Sequence, residues 1–393
     1  MARTPTAVGA GPAARALARV NLAAIERNCR RLRGELRGGA TLCAVVKADG
    51  YGHGAVQSAR AALAGGASWL AVADAREARE LRDAGLREVR VLVMGALEGA
   101  ELQEALAADA DVLAWSERQV AEVAASGGGC VHVKLDSGMG RLGTRDPQQA
   151  ERAVAAARAA DGVTLAGLMT HFATADDPHD DGFFAQQLAT FMRWALPLKE
   201  RQPELLLHAA NSAAVLREPD AHLDMVRCGI AVYGMDPFGV DPRERALEPA
   251  LELSSYVAEV KPFAPGDSAG YGRRYIASRA TRVGVLPIGY GDGWRRSLSG
   301  NADVLIGGRR YALVGTVSMD SVTVDLIDDD ALRLRGEPAI LIGCQGGERI
   351  TAEDLARALA TINYEITCGL TRRVQRFYHR DGADARAASA SAS

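Results

Sequence analysis

TLCAVVKADGYGHG, residues 41–54, runs from an apolar segment into Lys47 and then into a turn carrying Gly50, Gly52 and Gly54. An apolar run this short, closed by glycine, reads as a strand buried on both faces. Comparable runs follow at SWLAVA (68–73), VRVLVMG (89–95), DVLAW (111–115), VHVKLD (131–136), TLAGLMTHF (164–172), LLLHAAN (205–211) and MVRCGI (225–230). Stretches with helical periodicity separate most of them. AREARELRDAG (75–85) is one, with Gly85 placed to end it, and ERAVAAARAADG (151–162) is another. Strands alternating with helices in this way fit an N-terminal (β/α)8 TIM-like barrel over 16–245 better than an open sheet, although a doubly wound sheet also satisfies the pattern. No G-x-G-x-x-G opens a helix after a strand, which counts against a dinucleotide-binding sheet.

Beyond about residue 245 the texture changes. LELSSYVAEVKPFAPGDSAGYG, ATRVGVLPIGYGDGW and ADVLIGGRRYALVGTVSMDSVTVDL are rich in Val, Ile and Thr, with Gly, Pro and Asp at short intervals. A mainly β C-terminal domain over 246–382 is expected, interrupted by one helix at TAEDLARALATIN (351–363). Residues 1–15 read as an extension and 383–393, small and polar, as a disordered tail.

The bulk composition narrows the functional classes. The chain has 393 residues, 48% hydrophobic and 24% charged, with a net charge of −3, a globular profile with no basic excess for nucleic acid or an anionic membrane. No apolar run reaches the roughly 20 residues of a membrane helix. The start, MARTPTAVGAGPAARALARVN, lacks the apolar core of an export signal, so a cytoplasmic location is expected. Cys29, Cys43, Cys130, Cys228, Cys344 and Cys368 lie far apart with no zinc-type spacing and read as buried reduced thiols. Asp176, Asp177, His179, Asp180 and Asp181 cluster as metal ligands do, but Pro178 and Gly182 beside them favour a solvated loop, and no metal is expected.

Lys47 is the first candidate for chemistry. At the C-terminal end of a barrel strand it would sit at the mouth where such folds place their sites. Apolar neighbours disfavour its charged form and free the amine for Schiff-base chemistry. The alternative from composition alone is a strand-end lysine that reaches to solvent.

VVKADGYGHG resembles the cofactor-attachment segment of the alanine racemases, fold-type III pyridoxal-phosphate enzymes with an N-terminal barrel and a C-terminal β domain. HVKLDSGMGRLG (132–143), LMTHFATAD (168–176), HAANSAA (208–214), VRCGIAVYG (226–234), GYGRRY (270–275), PIGYGDGWRR (287–296), VSMD (317–320) and TINYE (361–365) resemble family segments in the same order, over roughly residues 15–380. The resemblance implies that Lys47 carries pyridoxal 5′-phosphate. Tyr51, Asn211, Ser212, Tyr364 and the amides of Gly229 and Ile230 would form the phosphate-binding set, and hydroxyls and N–H groups suit a dianion. His171 would pack near the ring; taken alone it reads equally as a core histidine. Arg227 would face the pyridine nitrogen, with His208 orienting it; a structural ion pair is the other reading of Arg227. Because guanidinium holds its proton, it cannot protonate that nitrogen. The electron sink is then weaker, and the carbanion is reprotonated before side reactions.

Racemisation needs a base on each face of a planar carbanion. Lys47 would serve one face, and Tyr271 matches the second base, which in the family reaches the site from the partner subunit of a homodimer with shared active sites. Free tyrosine has a pKa of about 10, so neighbouring positive charge must lower it. Arg141 would hold the cofactor's phenolic oxygen near the substrate carboxylate, which would also meet the backbone amide of Met319. Lys134 matches a lysine that is carbamylated in some members. Tyr290 and Arg296 match residues along the substrate path. Thr316 and Ser318 depart from the family's usual arginine and cysteine beside Met319. Interconversion of L- and D-alanine, supplying D-alanine for cell-wall peptidoglycan, is the implied activity. A broad-specificity racemase would more often be exported. A basic-amino-acid decarboxylase of this barrel class would place an acid where Arg227 stands. A non-catalytic pyridoxal-phosphate-binding protein would lack the β domain.

Overall fold

The structure, a computed structural model, describes residues 14–327 and 329–385. The chain divides into two compact units, one spanning Ile25–Glu248 and the other combining the segment up to Ala24 with Pro249 onward. Its first strand, β1 (Leu17–Asn21), belongs to the second unit.

The Ile25–Glu248 unit is built on eight parallel strands: β2 (Thr41–Val45), β3 (Trp69–Val72), β4 (Arg90–Val93), β5 (Ala110–Ala114), β6 (Gly129–Lys134), β7 (Val163–Met169), β8 (Leu206–His208) and β9 (Met225–Cys228). Sequential neighbours pair from β2 to β8, and β9 returns to pair with β2, Cys43 opposite Arg227. What excludes an open doubly wound sheet is that β9 also meets β8, the strand at the other end of this order. Between β8 and β9 the ladder is replaced by two backbone bonds, Asp224 N to Leu207 O (3.0 Å) and Arg227 N to Ala210 O (2.9 Å), so the barrel is nearly closed. Every residue of β3, β5 and β9 is buried, as expected of strands covered by helices on one side and filled by side chains on the other.

The helices bury small faces. Ala75–Asp83 packs through Ala75, Ala78 and Leu81. Asp74 caps its first turn by accepting from Glu77 N at 2.9 Å, and Gly85, at φ 85°, closes its last. The second expected helix is observed as Pro147–Ala159, opened by Asp146 and Pro147. No helix among the described residues is long and apolar enough to cross a membrane.

In the second unit β1 is an inner strand. It runs antiparallel to Leu251–Tyr256 and parallel to Gln375–Arg380. This corrects the reading that began the barrel at residue 16. The signal was present: Ala18 and Val20 are buried while Leu17, Arg19 and Asn21 are half-buried, an alternation absent from the barrel's all-buried strands. The helix expected over 351–363 is also corrected. It covers only Ala352–Ala358, behind a capping box of Thr351 and Asp354. The chain then turns left-handed at Ala360 (φ 52°), and a second helix runs Asn363–Cys368. Part of the expected tail is ordered, because Ala383–Asp384 pairs with the strand Gln375–Arg380; residues 386–393, like 1–13, lie outside the described residues. The cysteines are free thiols, but only Cys29, Cys43 and Cys228 are buried; Cys130 is half-buried, and Cys344 and Cys368 are exposed.

Val20 is fully buried between its two neighbouring strands. Val20→Asp would place an unpaired carboxylate there at a cost of several kcal/mol. A sharp loss of midpoint in urea denaturation is expected; a midpoint like the parent's would show that β1 is dispensable.

Candidate active site

Strand β2 ends at Val45, and Val46 N still bonds to Ala71 O at 2.8 Å before the chain turns at Lys47. The turn is left-handed. Ala48, Asp49, Gly50 and Tyr51 lie at φ 52°, 53°, 60° and 53°. For residues with a Cβ this costs about 1–2 kcal/mol each, so the fold must hold the segment. Glu77 does much of this. One carboxylate oxygen accepts from Ala48 N (2.6 Å), the other from Ala73 N (2.7 Å). Asp49 accepts from Ala55 N at 3.1 Å, and the His53 ring hydrogen-bonds the Gly50 and Tyr51 carbonyls.

Lys47 belongs to a cationic group. The charges of Arg227, Arg141 and Lys47 all act on Lys134, buried at the end of β6, and burial first, then those charges, push its pKa down to about 8. The same four cations act on His171, which burial above all holds well below the ordinary histidine value. Arg141 is exposed, on a loop gathered round the Asp136 carboxylate; burial raises that group, but the amides of Gly140 and Gly138, with Arg145, bring it below the ordinary value. So much positive charge at strand ends suits an anionic ligand.

Arg227 is buried on β9 and engaged on its two terminal nitrogens. It donates to Thr170 O (2.9 Å), Ala209 O (3.0 Å), His171 Nδ1 (3.1 Å) and His208 Nδ1 (2.9 Å). Its Nε–H is buried and has no partner among the described residues. Burial lowers its pKa to about 10, so it remains a cation near neutrality. Because Arg227 can only donate, His208 Nδ1 must accept. His208 Nε2–H then donates to His132 Nδ1 (2.8 Å), and His132 Nε2–H donates to Asp111 Oδ2 (2.8 Å). Asp111 also accepts from Arg90, whose guanidinium lies 4.2 Å from the Trp69 ring centre. A donor at one end and an acceptor at the other fix both imidazoles as neutral Nε2–H tautomers. His132 and Asp111 are missing from the expected site. They carry no motif of their own; the available signal was that His132 and Lys134 alternate on one face of a barrel strand.

Another cluster forms where β9 leaves the barrel. Ser212 Oγ accepts from Gly229 N (3.0 Å) and Ala231 N (3.4 Å), and Asn211 caps the helix Ser212–Arg217. A side chain at Gly229 would collide with the Tyr51 hydroxyl, so glycine is what brings that hydroxyl to the β9 backbone, just before Ile230. Ser212 is thereby an acceptor for the Gly229 amide, where both had been expected as phosphate donors.

Tyr271, Tyr290, Arg296, Met319 and Tyr364 lie in the second unit. Tyr271, Tyr290 and Met319 are exposed, as is Arg296, while Tyr364 is half-buried. The loops of Tyr290 and Met319 are joined by Tyr290 N to Ser318 O (3.0 Å) and Gly291 N to Met319 O (2.9 Å). Beneath them the buried Asp292 carboxylate binds Arg15 and, at 3.3 Å, Arg373. Of the acidic cluster, Asp180 is taken up by Thr174 and Arg217, and no group of three or more potential metal ligands is assembled among the described residues.

A barrel with a lysine at a strand end, cations round it, and a second β unit defines a two-domain barrel enzyme for an anionic small molecule. The sequence pattern of the alanine racemase N-terminal domain matches residues 20–237, and that of the C-terminal domain matches 250–378. Alanine racemases of Thermobifida fusca and Geobacillus stearothermophilus are each 41% identical over 369 residues, covering 92% of this chain and 97% and 93% of theirs. The alanine racemase structure from Streptomyces coelicolor superimposes with a TM-score of 0.87 at 38% identity, covering 92% of this chain and 97% of that one. The chain belongs to the alanine racemase family. It is therefore an isomerase acting on a small amino acid.

Burial first, then the charge of Arg227, holds His208 well below the ordinary value of 6.5. The unfolded chain takes up that proton first, so the stability His208 contributes is complete above pH 6.5 and drains away below it. The loss is at most about 1.4 kcal/mol per pH unit for this one group. Gln at 208 can accept from Arg227 and donate to His132 without titrating. His208→Gln is expected to fall less steeply in urea midpoint below pH 6.5 than the parent; an unchanged acid slope would refute the neutral assignment.

Proposed function

We propose that this chain interconverts L-alanine and D-alanine with pyridoxal 5′-phosphate held on Lys47, as a homodimer in which each site is completed by the partner subunit's Tyr271. The observation that carries the cofactor assignment is the buried Nε–H of Arg227, a hydrogen-bond donor with no acceptor among the described residues. A pyridine nitrogen without a proton is the acceptor it fits. The cations around it suit the phosphate and the substrate carboxylate. When bound, the cofactor supplies an aldehyde for an amine and a ring that draws electrons from the substrate α-carbon.

Lys47 would hold the cofactor through its aldehyde and, as a free amine once substrate is bound, would take or return the α-proton on one face. The hydroxyl of the partner subunit's Tyr271 does the same on the other. Arg227, still a cation near pH 7, would hold the ring nitrogen through Nε–H without giving it a proton, which would keep the electron demand low enough for the α-carbon to be reprotonated. The donor chain through His208 and His132 to Asp111 fixes the guanidinium in that role, and His171 packs beside the ring. Tyr51, Asn211, the Ser212 hydroxyl, the Ile230 amide and Tyr364 would bind the phosphate, while the Gly229 amide, donating to Ser212 Oγ, orients that hydroxyl. Arg141 and the Met319 amide meet the substrate carboxylate, and Tyr290 and Arg296 line the approach. With a pKa near 8, Lys134 carries enough neutral amine to add carbon dioxide, giving an anion that would steady Arg141. The family supports a cytoplasmic role in supplying D-alanine for peptidoglycan.

The shared site is tested by mixing. Lys47→Ala and Tyr271→Phe homodimers are each expected to be nearly inactive, and Lys47→Ala should yield no borohydride-trapped adduct. After subunit exchange, every mixed dimer holds one intact site, so about a quarter of parental activity should return. Verified exchange without activity refutes the composite site, and an adduct on another lysine refutes Lys47. Chiral analysis of alanine, serine, lysine and arginine after incubation separates alanine specificity from a broad racemase.

A further inference from the structure

Tyr271 lies in a short, glycine-hinged turn. Gly270 and Gly272 stand at φ 73° and 72°, and Arg273 is left-handed at 48°. The turn is the tip of a two-stranded hairpin, Ser268–Ala269 against Tyr275–Ile276, a pairing too short to fix its own tip. Within the turn, Arg273 N reaches Gly270 O at a long 3.4 Å, and the Arg273 side chain bonds Ser268 Oγ at 3.1 Å. Neither bond involves Tyr271, a residue that is 72% exposed.

Thr316 supplies what the turn lacks. It is buried, and its hydroxyl donates to the Tyr271 carbonyl at 2.7 Å. Among the described residues it is the one group outside the turn that holds the Tyr271 backbone. The two segments also fit closely. A side chain at Gly270 would meet Thr316 N at 2.9 Å, and one at Gly315 would meet Ala269 O at 2.8 Å. Thr316 stands three positions before Met319, whose loop is bonded to that of Tyr290. A single threonine thus ties the Tyr271 turn to the segment carrying Met319.

We propose that Thr316 is a positioning residue for the second base, setting the Tyr271 turn through a hydroxyl-to-carbonyl bond. The proposal rests on the reading of Tyr271 as that base. Proton transfer depends on placing donor and acceptor within hydrogen-bond reach, and a base displaced by about 1 Å loses much of its rate. The Tyr271 carbonyl lies in an exposed turn and can turn to water when released, so losing the bond should cost position rather than stability.

Thr316→Val removes the hydroxyl at nearly constant shape, and Thr316→Ser keeps it. The holoenzymes are compared with the parent and with Tyr271→Phe for kcat in both directions, Tm, and the isotope effect of α-deuterated L- and D-alanine. The enantiomers are equal in free energy, so kcat/KM must fall equally in the two directions and cannot reveal which base was moved. The isotope effect can, because a displaced Tyr271 slows proton removal from one enantiomer and proton return in the other direction. Thr316→Val is expected to lose about tenfold in kcat with Tm close to the parent's. Its isotope effect should rise for one enantiomer and not the other, and Thr316→Ser should restore parental behaviour. Parental kinetics in Thr316→Val, isotope effects that move together for both enantiomers, or a Thr316→Ser variant as impaired as Thr316→Val would overturn the proposal. If Tyr271→Phe itself retains activity, the reading of Tyr271 as a base fails instead.

Discussion

Arg227, on β9, is a cation inside a protein that meets no carboxylate among the described residues; carbonyls and imidazoles surround it instead. Burying such a charge is costly unless its hydrogens are met and countercharge lies within reach. The barrel supplies both indirectly. Two neutral histidines carry a one-way series of donors from Arg227 to Asp111, whose charge is balanced in turn by Arg90. Four of the eight barrel strands, β5, β6, β8 and β9, each commit a side chain to this line. Its direction follows from chemistry alone, because an arginine cannot accept and a carboxylate cannot donate. What it leaves over is one N–H of Arg227, and the proposed cofactor chemistry depends on that group.

Lys47 is held by a different means. Its amine stands at the head of four left-handed residues, an arrangement that only surrounding bonds can keep. Two backbone N–H groups, from Ala48 after β2 and Ala73 after β3, converge on the Glu77 side chain. A carboxylate is the one side chain of that length that accepts at both ends; glutamine would turn an N–H toward one of the two donors. The strained turn is thus pinned to the adjacent strand, and the lysine begins from a fixed backbone.

The exposed residues of the second unit are organised by the same logic on a smaller scale. Asp292, buried and bound by Arg15 and Arg373, fixes the Tyr290 loop, and backbone bonds carry that order to Met319. Arg15 is able to take part because β1, just after it, is sewn into this sheet. Arg15 and β1 therefore serve the β unit, although the barrel follows them in sequence.

The eight barrel strands were legible because burial on both faces leaves uninterrupted apolar runs, and Lys47 was legible because it ends one of them before a glycine turn. The ordered motifs named the family and hence Tyr271, Arg227 and their neighbours. The allegiance of β1, the break after Ala358, and the parts played by His132, Asp111, Glu77 and Thr316 were not read from the sequence. Sequence pattern reports how a residue meets its own strand or helix, through periodicity and the chemistry of its side chain. Which strand lies beside it, and which backbone group a hydroxyl or carboxylate finally reaches, are set by contacts between residues distant in the chain. Thr316 to Tyr271 and His132 to His208 are such contacts, and only the closed fold brings them within a hydrogen bond.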